Sequence, residues 1–371
     1  MSVRTTGRGA GGKFAKLSGF GLPRNRAGLI FLAKLGVGTV VPKESTSGVW
    51  RERPTGGVDL LLRSGNPLEI TGGGIRQLRK VLFMNSVAHA PDQRRGFAPD
   101  GGLGAAISFA DGTSGIARIA ADGTTDIPVE TTSPVPTLDG AQWASFATPA
   151  TASGGRFAFR GTLKRGVGGV TPKDDQAIFA SLGGPLQPII RRGATLPGGG
   201  PATLNRLGEP LLGEGGVVGL IAALSGNGVS AKNRDAIVLH RSGNSTIVAR
   251  LGEPAPEAGE GVVFQRFVSV VVTDAPQARL LFTASVAGSG INKRNRTGIW
   301  AVTPDGSVRL VLRLGKQITV GSETPTVTLI DALNAKPANR GQGRSTDASG
   351  FLSARVKLSN RRSGLLRIPL P

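Results

Sequence analysis

Cysteine and tyrosine are absent from the 371 residues, and histidine and methionine occur only twice each. Without cysteine there is no disulfide scaffold, no thiolate zinc site and no cysteine nucleophile. Two histidines far apart in the chain do not make a histidine metal cage. Long apolar runs are also missing. No 18-residue stretch could span a membrane, and the Gly- and Arg-rich residues 1–12 lack the apolar segment of a secretory signal. The chain is therefore expected to be soluble. Helical stripes are missing too: the nearest candidate, residues 76–85, is too short for a helix. Acid is scarce, with 24 Asp+Glu against 45 Lys+Arg and a net charge of +21. Glycine (57) and proline (24) are abundant, yet hydrophobic residues make up 39%, enough for a core.

One short pattern recurs, a small residue followed by two apolar ones. It reads Gly48-Val49-Trp50, Gly115-Ile116-Ala117, Ala177-Ile178-Phe179, Ala236-Ile237-Val238, Gly298-Ile299-Trp300 and Gly364-Leu365-Leu366, at intervals of 59 to 67 residues. Upstream of each lies an alternating segment, such as Phe31-x-Ala33-x-Leu35 or Phe282-x-Ala284-x-Val286. Downstream lies a short apolar segment ending in charge: Arg63, Glu130, Arg191, Arg250 and Arg313. Four of these five continue as Arg-x-Gly, at Gly65, Gly193, Gly252 and Gly315. A further segment, such as residues 263–273 with Phe264 and Phe267, precedes each unit. Period-2 patterning between turn residues indicates strands. Four strands per unit in six units predict an all-β fold, a six-bladed β-propeller of four-stranded antiparallel blades. The expected repeats are residues 7–67, 68–136, 137–197, 198–256, 257–318 and 319–371 plus 1–6, in one domain. The last repeat stops after its third strand, so Ser2-Val3-Arg4-Thr5 is expected to supply the missing fourth and close the ring.

The stretch Arg250-Leu251-Gly252-Glu253-Pro254-Ala255-Pro256, then Phe282, then Gly298-Ile299-Trp300, resembles the bacterial "choice-of-anchor" tandem repeats, whose pattern is Asn-x-x-Gly-x-x-Ala-Phe, Gly-Ile-Trp and Arg-x-Gly-Asp/Glu-Pro-Ala-Pro. Asn25-Arg26-Ala27-Gly28 with Phe31, and Gly155 with Ala158 and Phe159, carry parts of the first half. Repeat two, with Ala117 and Glu130, departs furthest. The resemblance implies a secreted or surface-exposed repeat protein without an established activity, although the chain as written carries neither leader nor anchor.

Arginine outnumbers lysine 33 to 12. Position separates two groups. Arg4, Arg63, Arg191, Arg250 and Arg313 recur at the end of the fourth strand, where a guanidinium can satisfy turn carbonyls, a structural role. The turns between second and third strands carry net positive charge everywhere except repeat two. The strongest are Lys293, Arg294 and Arg296 in repeat five and Lys357, Arg361 and Arg362 in repeat six. In a propeller these turns share one face, so a basic, ligand-binding face is expected there. Solvated hairpin tips explain the same residues without any ligand.

A catalytic site is not evident. His89 and His240 belong to different repeats and read as ordinary surface histidines. Asp174 and Asp175 form a paired carboxylate on a hairpin tip, where adjacent strand residues should face apart. Glu253, Glu257 and Glu260 share a crossover without a calcium-loop spacing. Gly72-Gly73-Gly74 and Gly198-Gly199-Gly200 read as turn glycines rather than phosphate cradles. Trp50, Trp143 and Trp300 read as core. The basic tips have no interleaved aromatics, which disfavours single-stranded nucleic acid. The expected function is non-enzymatic binding or scaffolding of an acidic partner, an anionic glycan or envelope component ahead of nucleic acid, by a monomer without metal or cofactor. The alternative is a glycan hydrolase or lyase using carboxylates at the central channel.

Overall fold

In a computed structural model the structure describes residues 13–21, 28–37, 41–53, 55–70, 74–82, 95–275, 277–333 and 345–371. The expected closing strand at Ser2–Thr5, together with Arg4, the residues Asn25 to Ala27, Gly72, Gly73 and His89, lies outside them. Among the described residues the fold is all-β, with two three-residue 3-10 turns and no α-helix. By contacts the described residues up to Pro188 form one compact unit and those from Ile189 a second.

Among the described residues the strands form six sheets, each with its strands in sequence order. The first consists of Phe14–Gly21, Ile30–Leu35, Ser47–Glu52 and Val58–Arg63; the second of Pro67–Glu69, Ile75–Leu82, Leu103–Phe109, Ser114–Ile119 and Thr125–Glu130. The third contains Trp143–Phe146, Arg156–Leu163, Gln176–Ser181 and Gln187–Arg191, and the fourth Thr203–Leu207, Val218–Ser225, Asp235–Arg241 and Asn244–Arg250. The fifth contains Val263–Val272, Leu280–Ala287, Thr297–Val302 and Val308–Arg313. The sixth has three strands, Val327–Asp331, Phe351–Leu358 and Ser363–Pro369. Residues 76–82, the nearest approach to a helical stripe, lie in a strand.

Alternation sends successive side chains to opposite faces, so one strand serves two cores. In the fifth sheet Leu280, Phe282 and Ala284 join Ile237, Leu239 and Ala249 of the fourth, while Leu281 joins Leu352, Ala354 and Val356 of the sixth. In the first unit, Ile30 and Val49 of the first sheet pack with Leu78 and Ile107 of the second. Three sheets hold an aromatic triad drawn from their first three strands. Phe14, Phe31 and Trp50 make one, Trp143, Phe159 and Phe179 another, and Phe264, Phe282 and Trp300 the third. The indole of Trp300 lies 6.0 Å from Phe282, stacked, and 5.2 Å from Phe264, edge-on. Its Nε1 donates to the Pro256 carbonyl at 3.0 Å. The small residue of the recurring triplet has a local cause. A Cβ on Gly48 would meet Trp50 at 2.7 Å and one on Gly298 would meet Trp300 at 2.8 Å, because each indole folds back over the glycine two residues before it.

The Arg-x-Gly motif joins one sheet to the next. Gly65, Gly193, Gly252 and Gly315 adopt φ of 80° to 86°, as the third residue of a type II turn requires. Their amides donate to Leu78, Leu204, Phe264 and Val327 at 2.6 to 2.9 Å; Leu78 lies in the second strand of the following sheet and the other three in the first. The amides of those four residues donate back to Asn66, Ala194, Glu253 and Lys316 at 2.9 to 3.0 Å. Immediately after each clasped residue its strand bulges, at Arg79, Asn205, Gln265 and Thr328. The bulge breaks the alternation: Gln265 and Arg266 are both exposed between buried Phe264 and Phe267, as are Asn205 and Arg206 between Leu204 and Leu207.

Trp50, Trp143 and Trp300 are all buried. Replacing Trp300 by alanine is expected to destabilise the fold by about 3–5 kcal/mol, as large-to-small core changes do. Chemical denaturation of the two proteins measures this; a loss below about 1 kcal/mol, the range of surface substitutions, would contradict the core assignment.

Candidate polyanion-binding site

The basic tip of the fifth sheet is the turn between its second and third strands, Ile291 to Arg296. Its backbone is held from inside. Asn295 Oδ1 accepts from the Asn292 amide at 2.8 Å, and Asn295 Nδ2 donates to the Gly290 carbonyl at 2.9 Å. The fourth sheet repeats the device: Asn233 Oδ1 accepts from Ser230 at 2.7 Å and Nδ2 donates to Gly228 at 2.9 Å. The arginines ending the fourth strands add a second lock. Arg63, Arg250 and Arg313 donate through Nε to the carbonyls of Ser45, Asn233 and Asn295 at 2.8, 2.7 and 2.6 Å, each two residues before a third strand. Arg313 also reaches the Ala258 carbonyl of the preceding crossover, and burial holds its guanidinium below its ordinary pKa.

With the turn fixed from below, Lys293, Arg294 and Arg296 stand exposed at its surface. Among the described residues no carboxylate pairs with any of the three. In the sixth sheet Lys357 and Arg361 are likewise exposed and unpaired, whereas Arg362 lies 3.3 Å from Glu323. Lys293 and Arg296 share a cleft of about 330 Å³ with Gln265 and Asn292. Gln265 and Arg296 also line an adjoining cleft of about 580 Å³, together with Arg266, Ser285, Thr297 and Asp235. The sixth-sheet cations line neither cleft. Alternation in the sequence does not single out Gln265 or Arg266. Their signal was an apolar–polar–polar–apolar run, Phe264 to Phe267, which an alternating template passes over.

Many other arginines are already committed. Arg118 makes a two-pronged pair with Asp126 at 2.9 and 2.6 Å, which raises its pKa, and donates to the Gly155 carbonyl at 3.0 Å. In repeat two Glu130 replaces the recurring arginine and pairs with Arg76 at 3.1 Å; Arg76 also bonds Asp111, which raises the pKa of Arg76, while hydrogen bonds from Thr113 and then from Arg76 lower that of Asp111.

The carboxylates are committed as well. Asp175 is buried and paired with Arg165 at 2.7 Å, while Asp174 accepts from the Thr171 amide at 2.7 Å, so the two adjacent acids serve separate contacts. Glu257 pairs with Arg309 at 3.2 Å, and burial raises the pKa of Glu253. A cleft of about 490 Å³ in the first unit holds Asp100 and Asp126. Asp100 accepts from the Gly102 and Gly154 amides at 3.0 and 2.8 Å, and Asp126 is held by Arg118.

His240 is not a surface histidine: it is 5% exposed, on the third strand of the fourth sheet. Ser245 Oγ donates to the Ile189 carbonyl at 2.9 Å, so His240 Nδ1–H is the donor in its 2.9 Å bond to that oxygen. Burial holds the imidazole below its ordinary pKa. The unfolded chain takes up this proton near pH ~6.5 and the folded chain only at lower pH, so stability present above that value is lost as pH falls. His240→Asn should therefore close its stability gap to the native protein between pH 7.5 and 5, measured by urea unfolding. A gap independent of pH would contradict a buried neutral imidazole.

No protein of curated function is similar to the chain. Among solved structures it is similar to the β-propeller domain of the Trilobed protease from Pyrococcus furiosus, at 9% identity over 96% of both chains with a TM-score of 0.36. It is also similar to the Pyrococcus horikoshii acylaminoacyl peptidase, at 10% identity and a TM-score of 0.37, and covers 94% of this chain but 44% of that one. A polysaccharide lyase, an ulvan lyase, is similar at 10% identity over 94% of this chain and 78% of that chain, with a TM-score of 0.32. One family model matches residues 2–121 and again 117–353, and the chain belongs to that family, described as a family of unknown function (DUF7453).

Proposed function

We propose that the chain is a non-enzymatic binding or scaffold protein, a six-bladed propeller completed by its own residues 1–6, whose basic turns hold an acidic partner such as an anionic glycan or envelope component. The observation that carries this reading is the exposed, unpaired set Lys293, Arg294 and Arg296 on a turn whose backbone is locked by Asn295 and Arg313. Cations held on a rigid tip meet an anion without first losing turn entropy. An extracellular or surface location and a monomeric state fit the repeat resemblance and a self-completed ring. A hydrolase or lyase would draw on Asp100 and Asp126. Both already accept hydrogen bonds or an ion pair, which leaves the binding reading ahead.

Two outcomes follow. Binding to dextran sulfate should weaken steeply with salt; for duplex DNA the log–log slope is about −0.9 per phosphate neutralised, and a less densely charged glycan should give less. Replacing Arg294, Arg296, Arg361 and Arg362 by serine should flatten that slope without lowering the melting temperature, and equal binding by both proteins would refute the assignment. Separately, deleting residues 1–6 should lower the melting temperature and promote aggregation, by leaving the strand Ser363–Pro369 an unpaired edge. Unchanged melting and solubility would count against ring closure.

A further inference from the structure

The bulge at Gln265 does more than break an alternation. It turns two consecutive side chains, Gln265 and Arg266, away from the core at the point where the fifth sheet packs on the fourth. Arg266 stands opposite Ser285 in register, and both line the 580 Å³ cleft with Thr297 and Arg296. Arg296 and Gln265 continue into the 330 Å³ cleft beside Lys293 and Asn292. The two clefts therefore form one groove through shared walls, each part within the size range of small-ligand sites.

Three features define what the groove can take. Its cations, Arg266, Arg296 and Lys293, have no hydrogen-bond or ion-pair partner among the described residues, unlike the cleft-lining Arg118. Its single carboxylate, Asp235, has Arg234 at 3.6 Å. The remaining polar lining consists of amides and hydroxyls, Gln265, Asn292, Ser285 and Thr297, and no aromatic ring lines either part. A stacked base has no aromatic platform here. A ligand with anionic groups spaced between hydroxyls meets a guanidinium fork, an ammonium and neutral donors in turn.

We infer that the groove formed by Gln265, Arg266, Lys293 and Arg296 is a discrete binding site for an acidic sugar unit of an anionic polysaccharide. This rests on the polyanion-binding reading and names its site. Recognition is by paired charge and hydrogen bonding, with Arg296 common to both clefts and Gln265 supplying a neutral contact between them.

The test uses the full chain and three probes: a galacturonate hexamer (carboxylated), a heparin hexasaccharide (sulfated) and a 12-base-pair DNA duplex. Calorimetric titration at two salt concentrations compares the native protein with R266S/R296S, with the charge-matched R361S/R362S, and with Gln265→Leu, which alters no charge. The expected result is saturable binding of one or both hexamers, weakened at least tenfold by R266S/R296S and at most two- to threefold by R361S/R362S. Gln265→Leu should weaken it several-fold with the salt slope unchanged. The preferred hexamer then tells carboxylate from sulfate. Unchanged melting temperatures show that the exposed substitutions leave the fold intact; if R266S/R296S melts early, Gln265→Leu carries the decision. Hexamer binding weakened equally by the two double variants, and untouched by Gln265→Leu, would overturn the groove while leaving a polyanion binder. Tight DNA binding without hexamer binding would overturn the sugar assignment. No binding of any probe would overturn both readings.

Discussion

When the Gly252 amide bonds to Phe264, and Phe264 bonds back to Glu253, the end of one sheet is pinned to the start of the next. The same pair of bonds recurs from Gly65, Gly193 and Gly315. Each bond contributes about 0.5–1.5 kcal/mol net, but their placement matters more than their strength. They fix the register of the strand they clasp, and so decide which of its residues face the neighbouring sheet. Phe264 then stands edge-on to Trp300, and the bulge beginning at the next residue turns Gln265 and Arg266 outward. Core and groove depend on one turn in which glycine supplies the left-handed backbone.

The arginine excess divides along the same line. Arg241 donates to the Thr303 and Pro304 carbonyls at 2.9 and 3.0 Å, Arg279 to Pro371 at 2.8 Å, and Arg118 to Gly155. These guanidiniums stitch one sheet to the backbone of its neighbour, and a planar fork of five donors suits that task better than an ammonium. Much of the bias toward arginine over lysine is thus mechanical. Cations that bond to neither a carbonyl nor a carboxylate stand out against this background, and those facing the groove are among them.

The all-β character, the order of strands within each sheet and the tryptophan core were legible because they depend on period-2 burial and on a turn motif that repeats in sequence. The groove was not, because it depends on a place where period 2 fails. Phe264-Gln265-Arg266-Phe267 and Leu78-Arg79-Lys80-Val81 space their apolar residues by three, which is why residues 76–85 resemble a fragment of helix. An inserted bulge residue produces the same spacing within a strand. The burial of His240 escaped notice for a different reason. A strand-end histidine reads as exposed unless its hydroxyl partner, Ser245 across the hairpin, is already known to point at it.

The indole seated over a glycine makes two positions of the chain a single unit of inheritance. In the first and fifth sheets that unit is Gly48 with Trp50 and Gly298 with Trp300, on one strand. In the third sheet the indole comes from Trp143 on the first strand, and the vacancy moves with it to Gly161 on the second, where a Cβ would meet the ring at 2.6 Å. The third-strand position is then free to hold Ala177. A repeat can relocate its largest side chain only if the missing methyl group travels too. Divergence among these units therefore proceeds by exchanging hole and filler together, and a lone change at either position leaves a void or a collision.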